Sequence, residues 1–446
     1  MSSALALKKS KTFIKKGQAL KKEISFNPNY FLTSWSDTVG YLNIKNFYKK
    51  NFSILKKYKI ILREFFLINK DQLEIRYHNN KSKYKNLILT YFIPKNLKKD
   101  GSYFDKYTSL NTKFDKKDTL WILIPVTENK FNNINNENII IINRSFKNFY
   151  KNLLLSIIYF FKNFFKSFCF RNLEKIHFKN SNFSKDLSKI LVKIIKEKNI
   201  KKIFFPYEAQ PHQQFFVKEL KKNNNKLKII GYMHTVIPPL PLDYIKREGH
   251  PDLLLVNGID QKNILCQKLG WKRNEIKNIT SLRYDVSNNI NFNGNIFLPY
   301  FIEDENKMFD SFKKLIFLKK NFFFPKLKVK NHPSMEDSFK HKNLKNKIEK
   351  YLKQNKTFFK NNKNNKNISI FFGSTASVIE CLERGSRAFH ICSDPDLEGF
   401  NNYFWKRLKI FKIDKYIFEY RLKNKGKIIK INKQIKKDLQ LKTILD

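Results

Sequence analysis

The sequence has few cysteines and no long apolar run that is free of charge. Its four cysteines lie far apart and form no CxxC pair, which argues against a zinc site and a disulfide framework: Cys169, Cys266, Cys381 and Cys392. Lysine interrupts every apolar run of the length that a membrane span requires, and the first residues are too lysine-rich for a signal peptide. We therefore expect a cytoplasmic protein, with peripheral contact at the inner membrane as an open alternative.

Arginine is also scarce, although the chain is strongly basic. The formal net charge is +51, yet only 11 of the 89 basic residues are arginine, whose planar fork suits phosphates and bases best. Lysine, asparagine, isoleucine and phenylalanine are abundant, and all four are encoded by A/T-rich codons, so a biased genome accounts for most of this charge. We expect no specific nucleic-acid partner, while attraction to an anionic membrane can accompany the charge.

The apolar pattern predicts an α/β protein of two similar units. The 446 residues, 41% of them hydrophobic, are enough for two or three domains with sizeable cores. After a basic tail at 1–25, short apolar runs alternate with segments of helical periodicity. This alternation restarts after a polar break at 286–294. This predicts two Rossmann-like lobes whose parallel sheets face a central cleft, an N-terminal domain over 26–285 and a C-terminal domain over 286–446.

Individual elements follow from the same pattern. The predicted strands are 86–93, 120–126, 138–143, 202–206, 227–232, 252–257, 276–280, 295–301, 326–331, 368–372 and 388–392. The predicted helices are 186–198, 213–223, 260–270, 304–318, 336–354 and 374–385. A further amphipathic helix is predicted over 151–170, which either packs on a sheet or lies in a membrane interface.

The strongest local signal is a turn between a strand and a helix in the second lobe. Gly373, Ser374 and Thr375 follow an apolar run and precede a helix. Free backbone N–H groups, the positive end of the helix dipole and two hydroxyls meet there, which favours phosphate. The alternative is ordinary capping, because Ser377 and Glu380 have the S-x-x-E spacing. Glu380 could instead accept hydrogen bonds from ribose hydroxyls.

A second candidate contact for phosphate follows another strand of the same lobe. His332 comes directly after the run 326–331 and can donate a hydrogen bond to a phosphate, while Pro333 fixes the turn. A lone His-Pro pair is a weak motif, and an ordinary loop histidine is the alternative. The position of His332 favours the phosphate role, since the carboxyl ends of parallel strands meet at one edge of the sheet, where the Gly373 turn is also expected.

The first lobe offers candidates for a base that deprotonates an acceptor. Glu208 follows the strand 202–206 and His234 follows the strand 227–232, so both are expected at the edge that faces the cleft. The alternative for Glu208 is an acid at a helix N-terminus, and for His234 it is a structural histidine. Arg283 lies near the junction of the lobes and could meet a diphosphate or an anionic sugar.

The segment Asp394-Pro395-Asp396 imitates a metal-binding DxD motif. The intervening proline and the loop context weigh against a metal site. We predict no metal and no cofactor, with a nucleotide sugar as co-substrate.

These segments, in this order, resemble bacterial surface-carbohydrate biosynthesis proteins, which act on capsule and lipopolysaccharide and have the GT-B glycosyltransferase fold. The resemblance covers about 200–400 and is carried by FFPYEAQPHQQ, GYMHT, SLRY, KNHPS and GSTASVIECLERG. The last two are also similar to motifs of sialyltransferases and Kdo transferases that use CMP-sugars and hold the nucleotide phosphate there. The resemblance gives that role to His332, Ser374 and Thr375.

The chain departs from the family pattern at three positions. Gln213 stands where the pattern has a second glutamate, and Ala209 and His212 replace its glycine and tryptophan. If that second glutamate is the base, this chain relies on Glu208 or is a non-catalytic partner in carbohydrate assembly.

The resemblance implies a metal-independent glycosyltransferase that moves a sugar from a nucleotide sugar, with CMP-sugars among the candidates. The acceptor is expected to be a surface polysaccharide or a lipid-linked carbohydrate, bound by the N-terminal lobe, where Glu208 or His234 takes its proton. Two rivals stay open: a nucleotide-sugar epimerase of the same fold, and a non-catalytic basic protein that binds nucleic acid or assists assembly.

Overall fold

A computed structural model describes most of the chain. The described residues are 72–76, 83–125, 136–145, 178–239, 244–284, 292–300, 304–319, 324–332, 335–356, 367–431 and 437–446, with isolated positions elsewhere. The basic tail predicted over 1–25 (apart from Ala4 and Lys8), the amphipathic helix predicted over 151–170 and Pro333 lie outside the described residues.

The first unit is built on an eight-stranded sheet. Its region of the chain contains β1 (Gln72–Arg76), β2 (Asn86–Phe92), β3 (Phe104–Asp105), β4 (Leu110–Asn111), β5 (Thr119–Pro125), β6 (Ile139–Ser145), β7 (Lys202–Pro206), β8 (Lys228–Tyr232), β9 (Leu253–Val256) and β10 (Ile276–Asn278). The sheet order is β1-β6-β5-β2-β7-β8-β9-β10, and β3 and β4 form a separate hairpin. All neighbours pair in parallel except β1 and β6.

Helices cover one face of this sheet, and alternate residues of each strand point to opposite faces. The helices are α1 (Phe178–Lys198), α2 (Pro211–Asn223) and α3 (Ile259–Lys268). In β2, Leu87 and Leu89 share a core with Leu191 of α1 and Phe216 of α2. Ile88, between them, belongs to a second core on the other face. The strand is therefore buried on both sides, as its continuous apolar run predicts.

The second unit is built on a six-stranded sheet. Its strands are β11 (Asn295–Phe297), β12 (Lys328–Lys330), β13 (Ile368–Phe372), β14 (Arg387–Ile391), β15 (Leu408–Asp414) and β16 (Ile417–Leu422). Its helices are α4 (Glu305–Leu318), α5 (Phe339–Gln354), α6 (Ser377–Glu383) and α7 (Pro395–Glu398). The order is β12-β11-β13-β14-β16-β15, in which the first four strands are parallel and the last two antiparallel.

The predicted α/β class with two parallel sheets is confirmed, and two mainly parallel sheets on one chain give the GT-B-like architecture expected from the sequence. Three details were wrong. In the first sheet the edge strand β1 runs antiparallel to β6, and in the second sheet β16 runs antiparallel to both of its neighbours, β14 and the edge strand β15. The strand predicted over 295–301 ends at Phe297, because Pro299 has no N–H for a central strand. The helix predicted over 374–385 begins only at Ser377, because the preceding residues form a turn.

The end of the chain packs on the first sheet, although the predicted division places it in the second unit. The last helix is α8 (Lys437–Leu445). Its Leu441 and Ile444 belong to the same apolar core as Ile88 of β2. Just before it, the Lys430 N–H donates to the Asn257 carbonyl at the end of β9, at 2.6 Å. The two units are therefore connected both near 285–291 and by this returning segment.

Candidate functional site

Glu208 and His234 meet because their strands are adjacent and in register. Pro206 of β7 pairs with Tyr232 of β8, and each functional side chain lies two residues beyond its member of this pair. His234 Nε2 is 3.1 Å from Glu208 Oε1. The side chain of His234 is 1% exposed and that of Glu208 is 17% exposed. The edge of the sheet thus presents a carboxylate with a buried imidazole behind it.

The surroundings keep Glu208 ionised and His234 neutral. Burial raises the pKa of Glu208, but the hydrogen bonds and charges from His234, Gln210 and Arg283 outweigh burial and hold the pKa below its ordinary value. Burial lowers the pKa of His234 more than Glu208 raises it. Nδ1 of His234 is buried without a hydrogen-bond partner among the described residues. Since His234 is sealed from solvent, Glu208 is the member of the pair that an acceptor can reach.

A tight loop holds Glu208 in place. Ala209 has φ +57°, in the left-handed region that favours glycine, and the chain turns there. The Gln213 side chain then accepts hydrogen bonds from the N–H groups of Glu208, at 2.9 Å, and Gln210, at 3.2 Å. It also donates to the Pro206 carbonyl at 2.8 Å. Gln213 is 2% exposed, so at this position an amide clamps the loop from inside.

Gln213→Glu is expected to lower the free energy of unfolding by about 1 to 3 kcal/mol at pH 8, because a carboxylate cannot donate to the Pro206 carbonyl. Urea unfolding measures this loss. The matched control is Asn223→Asp at the exposed end of the same helix, which removes the 2.7 Å hydrogen bond to the Glu219 carbonyl. We expect the control to cost less than about 1 kcal/mol. Equal losses would contradict the role of Gln213 as a buried clamp.

Three residues of β2 and of the β3–β4 hairpin reach this site, and the sequence analysis missed them. The Tyr107 ring lies edge-on to the His234 ring, with centroids 4.7 Å apart. The Tyr91 hydroxyl donates to Gln210 Oε1 at 3.2 Å. Asp105 is fully buried and its charge acts on His234. The only available signal was that β2 ends beside them, and the neighbour of β2 in the sheet cannot be read from the sequence.

On the second sheet, the Gly373 turn follows β13 as predicted. Gly373 has φ +60°, and a Cβ there would lie 3.0 Å from Cβ of Pro299, so only glycine fits without strain. Within the described residues, the backbone N–H groups of Ser374 and Thr375 have no partner. The Thr375 hydroxyl accepts from the Ser377 N–H at 3.3 Å. The turn therefore leaves two N–H groups for an anion.

Ser377 and Glu380 do not form the capping box that the sequence offers as an alternative. Helix α6 begins at Ser377 with Ala376 as its N-cap, and no side chain caps it through that residue. Glu380 instead accepts from Arg384 Nε at 3.1 Å. Burial raises the pKa of Glu380, opposed by the charges of Arg384 and Arg283.

A buried histidine supports the turn from the neighbouring strand. His390 of β14 contacts the Gly373 carbonyl through Nε2, at 2.5 Å. Burial lowers the pKa of His390 to about 4, so the ring is neutral and holds the carbonyl as a donor. The sequence places His390 only in the predicted strand 388–392, without a role in the site.

His332 follows β12 at the same edge. Its ring lies edge-on to Tyr300, with centroids 5.3 Å apart. Burial lowers the pKa of His332, and the charges of His341 and Arg283 act in the same direction. At neutral pH His332 is therefore an uncharged donor. The neighbouring Asn331 has a buried side-chain oxygen without a partner among the described residues.

The segment with Arg283 is tied to the strand that carries His234. The Tyr232 hydroxyl, at the end of β8, accepts from the N–H groups of Leu282, at 3.0 Å, and Arg283, at 3.2 Å. It donates in turn to Asn257 Oδ1 at 3.0 Å. The backbone of Arg283 is thereby fixed at the carboxyl edge of the first sheet.

The charge of Arg283 acts on residues of both units. It lowers the pKa of Glu208 and His234 on the first sheet and of His332 and Glu380 on the second. The guanidinium is partly exposed and forms no hydrogen bond or ion pair with the residues that the structure describes. Its one ring contact there is with the adjacent tyrosine, 5.5 Å from the centroid. Among the described residues, Arg283 is thus a cation without an ion-pair partner, and its charge acts on groups of both units.

Comparison with known proteins adds only distant similarities. No protein-family model and no curated protein sequence matches the chain. Among solved structures, it is similar to a glycosyltransferase from Rickettsia africae, with TM-score 0.35 and 14% identity over 72% of this chain and 87% of that one. It is also similar to the UDP-GlcNAc 2-epimerase from Neisseria meningitidis, with TM-score 0.36 and 8% identity over 70% and 84%. The enzyme of that name from Methanocaldococcus jannaschii gives TM-score 0.36 and 11% identity over 81% and 99%.

Superpositions this loose do not distinguish a transferase from an epimerase. The functional interpretation therefore depends on the residues of the site. Of the residues predicted from sequence, Glu208 and His234 are in contact, while the turn at 373–375 and His332 lie at the carboxyl edge of the second sheet.

Two remaining predictions concern metals and membranes. Asp394 lies at the start of α7, where Glu398 accepts from the Ser393 N–H at 2.7 Å. No group of three or more potential ligand side chains that could hold a metal ion occurs in the described ranges. No helix in those ranges combines the length and apolar content that a membrane span requires.

Proposed function

We propose that the chain is a glycosyltransferase that moves a sugar from a nucleotide sugar to a carbohydrate acceptor. The observation that carries this proposal is the position of Arg283. Its backbone is held at the carboxyl edge of the first sheet by the Tyr232 hydroxyl. Its guanidinium has no hydrogen-bond or ion-pair partner among the described residues, and its charge acts on Glu208 of the first unit and on His332 and Glu380 of the second. Glycosyl transfer from a phosphate leaving group requires a base for the acceptor and a site for the leaving anion, and here the base follows the first sheet and the anion site follows the second.

The second sheet binds the donor in this proposal. The N–H groups of Ser374 and Thr375 and the neutral His332 donate to the phosphates, and Arg283 neutralises the charge that develops on them. Because Arg283 supplies the positive charge, the proposed transfer is metal-independent. Glu380 is the candidate acceptor for ribose hydroxyls.

The first sheet binds the acceptor in this proposal. Glu208 takes the proton from the acceptor hydroxyl, whose oxygen bonds to the anomeric carbon of the donor sugar. The bond from that carbon to the phosphate oxygen breaks at the same time, and its electron pair leaves with the nucleotide. His234 positions Glu208 and does not itself meet the substrate, because it is sealed beneath Tyr107.

The acceptor is a surface polysaccharide or a lipid-linked carbohydrate at the inner membrane, and the excess of lysine holds the enzyme near that anionic surface. A polybasic surface contributes about 1 kcal/mol for each lysine near the membrane. The support for this part is the net charge of +51.

The donor site is tested by calorimetry and thermal shift with CMP, CDP, UDP, GDP and ADP. One nucleotide is expected to bind, and His332→Ala is expected to weaken it about 10-fold to 100-fold, since a hydrogen bond to a charged group is lost. Lys342→Ala, at an exposed position of the same unit, is the control and should bind normally. No binding of any nucleotide to folded protein would overturn the proposal.

Product analysis then separates transfer from epimerisation. Release of free nucleotide only when an acceptor is added supports the transferase. Conversion of the donor sugar to its epimer without any acceptor would show that the rival activity is correct.

A further inference from the structure

Three aromatic side chains, Tyr91, Tyr107 and His212, lie near Glu208 and form what we call the aromatic wall. Tyr91 and Tyr107 have ring centroids 5.5 Å apart with 59° between their planes. The His212 ring also lies against Tyr91, with centroids 6.4 Å apart and planes nearly perpendicular. All three side chains are partly exposed, as is Glu208. Partly exposed aromatic rings therefore lie beside the carboxylate.

The wall is built into the fold by a buried carboxylate. Asp105 accepts from the Thr90 hydroxyl of β2 at 3.0 Å and from the Thr108 hydroxyl at 2.6 Å. It also accepts from the N–H groups of Tyr107 and Thr108, both at 3.2 Å. Burial raises the pKa of Asp105, opposed by these hydrogen bonds. They pin the β3–β4 hairpin to β2 and fix the direction of Tyr107.

The polar atoms beside the aromatic wall form a chain of hydrogen bonds that ends on Glu208. The Tyr91 hydroxyl donates to Gln210 Oε1 at 3.2 Å and lies 3.3 Å from His212 Nε2. Gln210 Nε2 donates to Glu208 Oε2. Burial lowers the pKa of His212 to about 4, so it is uncharged at neutral pH. The aromatic wall thus offers donors and acceptors, and its own three side chains are uncharged at neutral pH.

These properties select among acceptor chemistries. The charge of Arg283 also acts on Tyr107 and Glu208, but the proposed function assigns that guanidinium to the donor phosphates. The charge left for the acceptor is then that of the ionised Glu208, which repels an anionic group. A lipid chain would exclude water from the hydroxyl, amide and imidazole without offering them a hydrogen bond. A neutral sugar ring matches both features, because its C–H face packs on aromatic rings while its hydroxyls exchange hydrogen bonds. Such a ring would also bring a hydroxyl to Glu208.

We propose that Tyr91, Tyr107 and His212 form the subsite for a neutral pyranose ring, the sugar of the acceptor that carries the attacking hydroxyl. This inference rests on the proposed function, since it places the acceptor beside the proposed base. The part of the acceptor next to Glu208 is then an uncharged sugar and not a sialic acid, a phosphate or a lipid chain.

The test is saturation-transfer NMR on the full chain with p-nitrophenyl pyranosides of glucose, galactose, N-acetylglucosamine, N-acetylgalactosamine and rhamnose. The methyl glycoside of N-acetylneuraminic acid is the anionic comparison. At least one neutral pyranoside is expected to bind, and Tyr107→Ala is expected to weaken it about tenfold, the loss that one aromatic contact brings. Tyr107→Phe keeps the ring and should bind within about threefold of the wild type.

Tyr91→Phe provides a variant whose fold is not at risk from a lost ring. It removes the hydroxyl of the polar chain and should weaken the same pyranoside several-fold. Tyr403→Ala, at an exposed position of the second unit, should leave binding unchanged. Binding of no neutral pyranoside, preference for the anionic sugar, or equal binding by Tyr107→Ala and the wild type would overturn the inference. Nucleotide binding that depends on His332 would survive that outcome, so failure of the subsite is distinct from failure of the proposed function.

Discussion

Glu208→Gln is expected to lower kcat for acceptor-dependent nucleotide release by about 100-fold to 10,000-fold, the range for loss of a general base. The amide has the shape of the carboxylate but cannot take the proton of the acceptor. Nucleotide affinity should remain within about twofold of the wild type, because the donor contacts come from the second sheet. Kinetics and calorimetry on one preparation measure both quantities.

Glu219→Gln is the matched control for that experiment. It makes the same chemical change at a partly exposed position of α2 and should leave kcat unchanged. If Glu208→Gln retained more than about a tenth of the wild-type kcat, Glu208 would not be the base. A large fall in nucleotide affinity would instead assign Glu208 to the donor site.

Arg283→Met is expected to lower kcat/KM by about 100-fold to 1,000-fold, because one donor to the developing charge of the leaving phosphate is lost. The methylene stem is largely kept, so packing should change little. Arg273→Met removes the same charge from an exposed position that precedes β10 and should have little effect. Equal kinetics for Arg283→Met and Arg273→Met would remove Arg283 from the site.

The same variant should shift the pH dependence of kcat/KM. In the wild type the rate rises as Glu208 ionises, and the pKa of Glu208 lies below its ordinary value partly because of Arg283. Loss of that cation raises the pKa, so the acid limb of the profile moves to higher pH. An unchanged acid limb in Arg283→Met would show that Glu208 does not govern it.

The part of the site that could be predicted lies directly after strands. Glu208 and His234 follow adjacent strands by two residues each, so parallel pairing brings them together without knowledge of the loops. Gly373 and His332 were found in the same way. Their side-chain partners were not predictable, since Gln213 becomes a clamp only when the reversal at Ala209 folds the loop back.

The aromatic wall could not be predicted, because it depends on sheet order. β2 pairs with β7, which lies more than a hundred residues later in the chain, and this pairing brings Tyr91 to Gln210. The hairpin with Asp105 and Tyr107 has strands of two residues, too short for any periodic signal. β15 and β16 were missed because charged residues interrupt their short apolar runs.

The return of the chain to its first sheet has a consequence for how the first unit folds. The core that contains Ile88 and Trp121 also contains Leu441 and Ile444 of α8, which follow the whole second unit in the sequence. Contacts between residues so far apart in the chain form slowly, because a long loop must close first. We therefore expect the first unit to pack this core only after the chain region of the second unit is present.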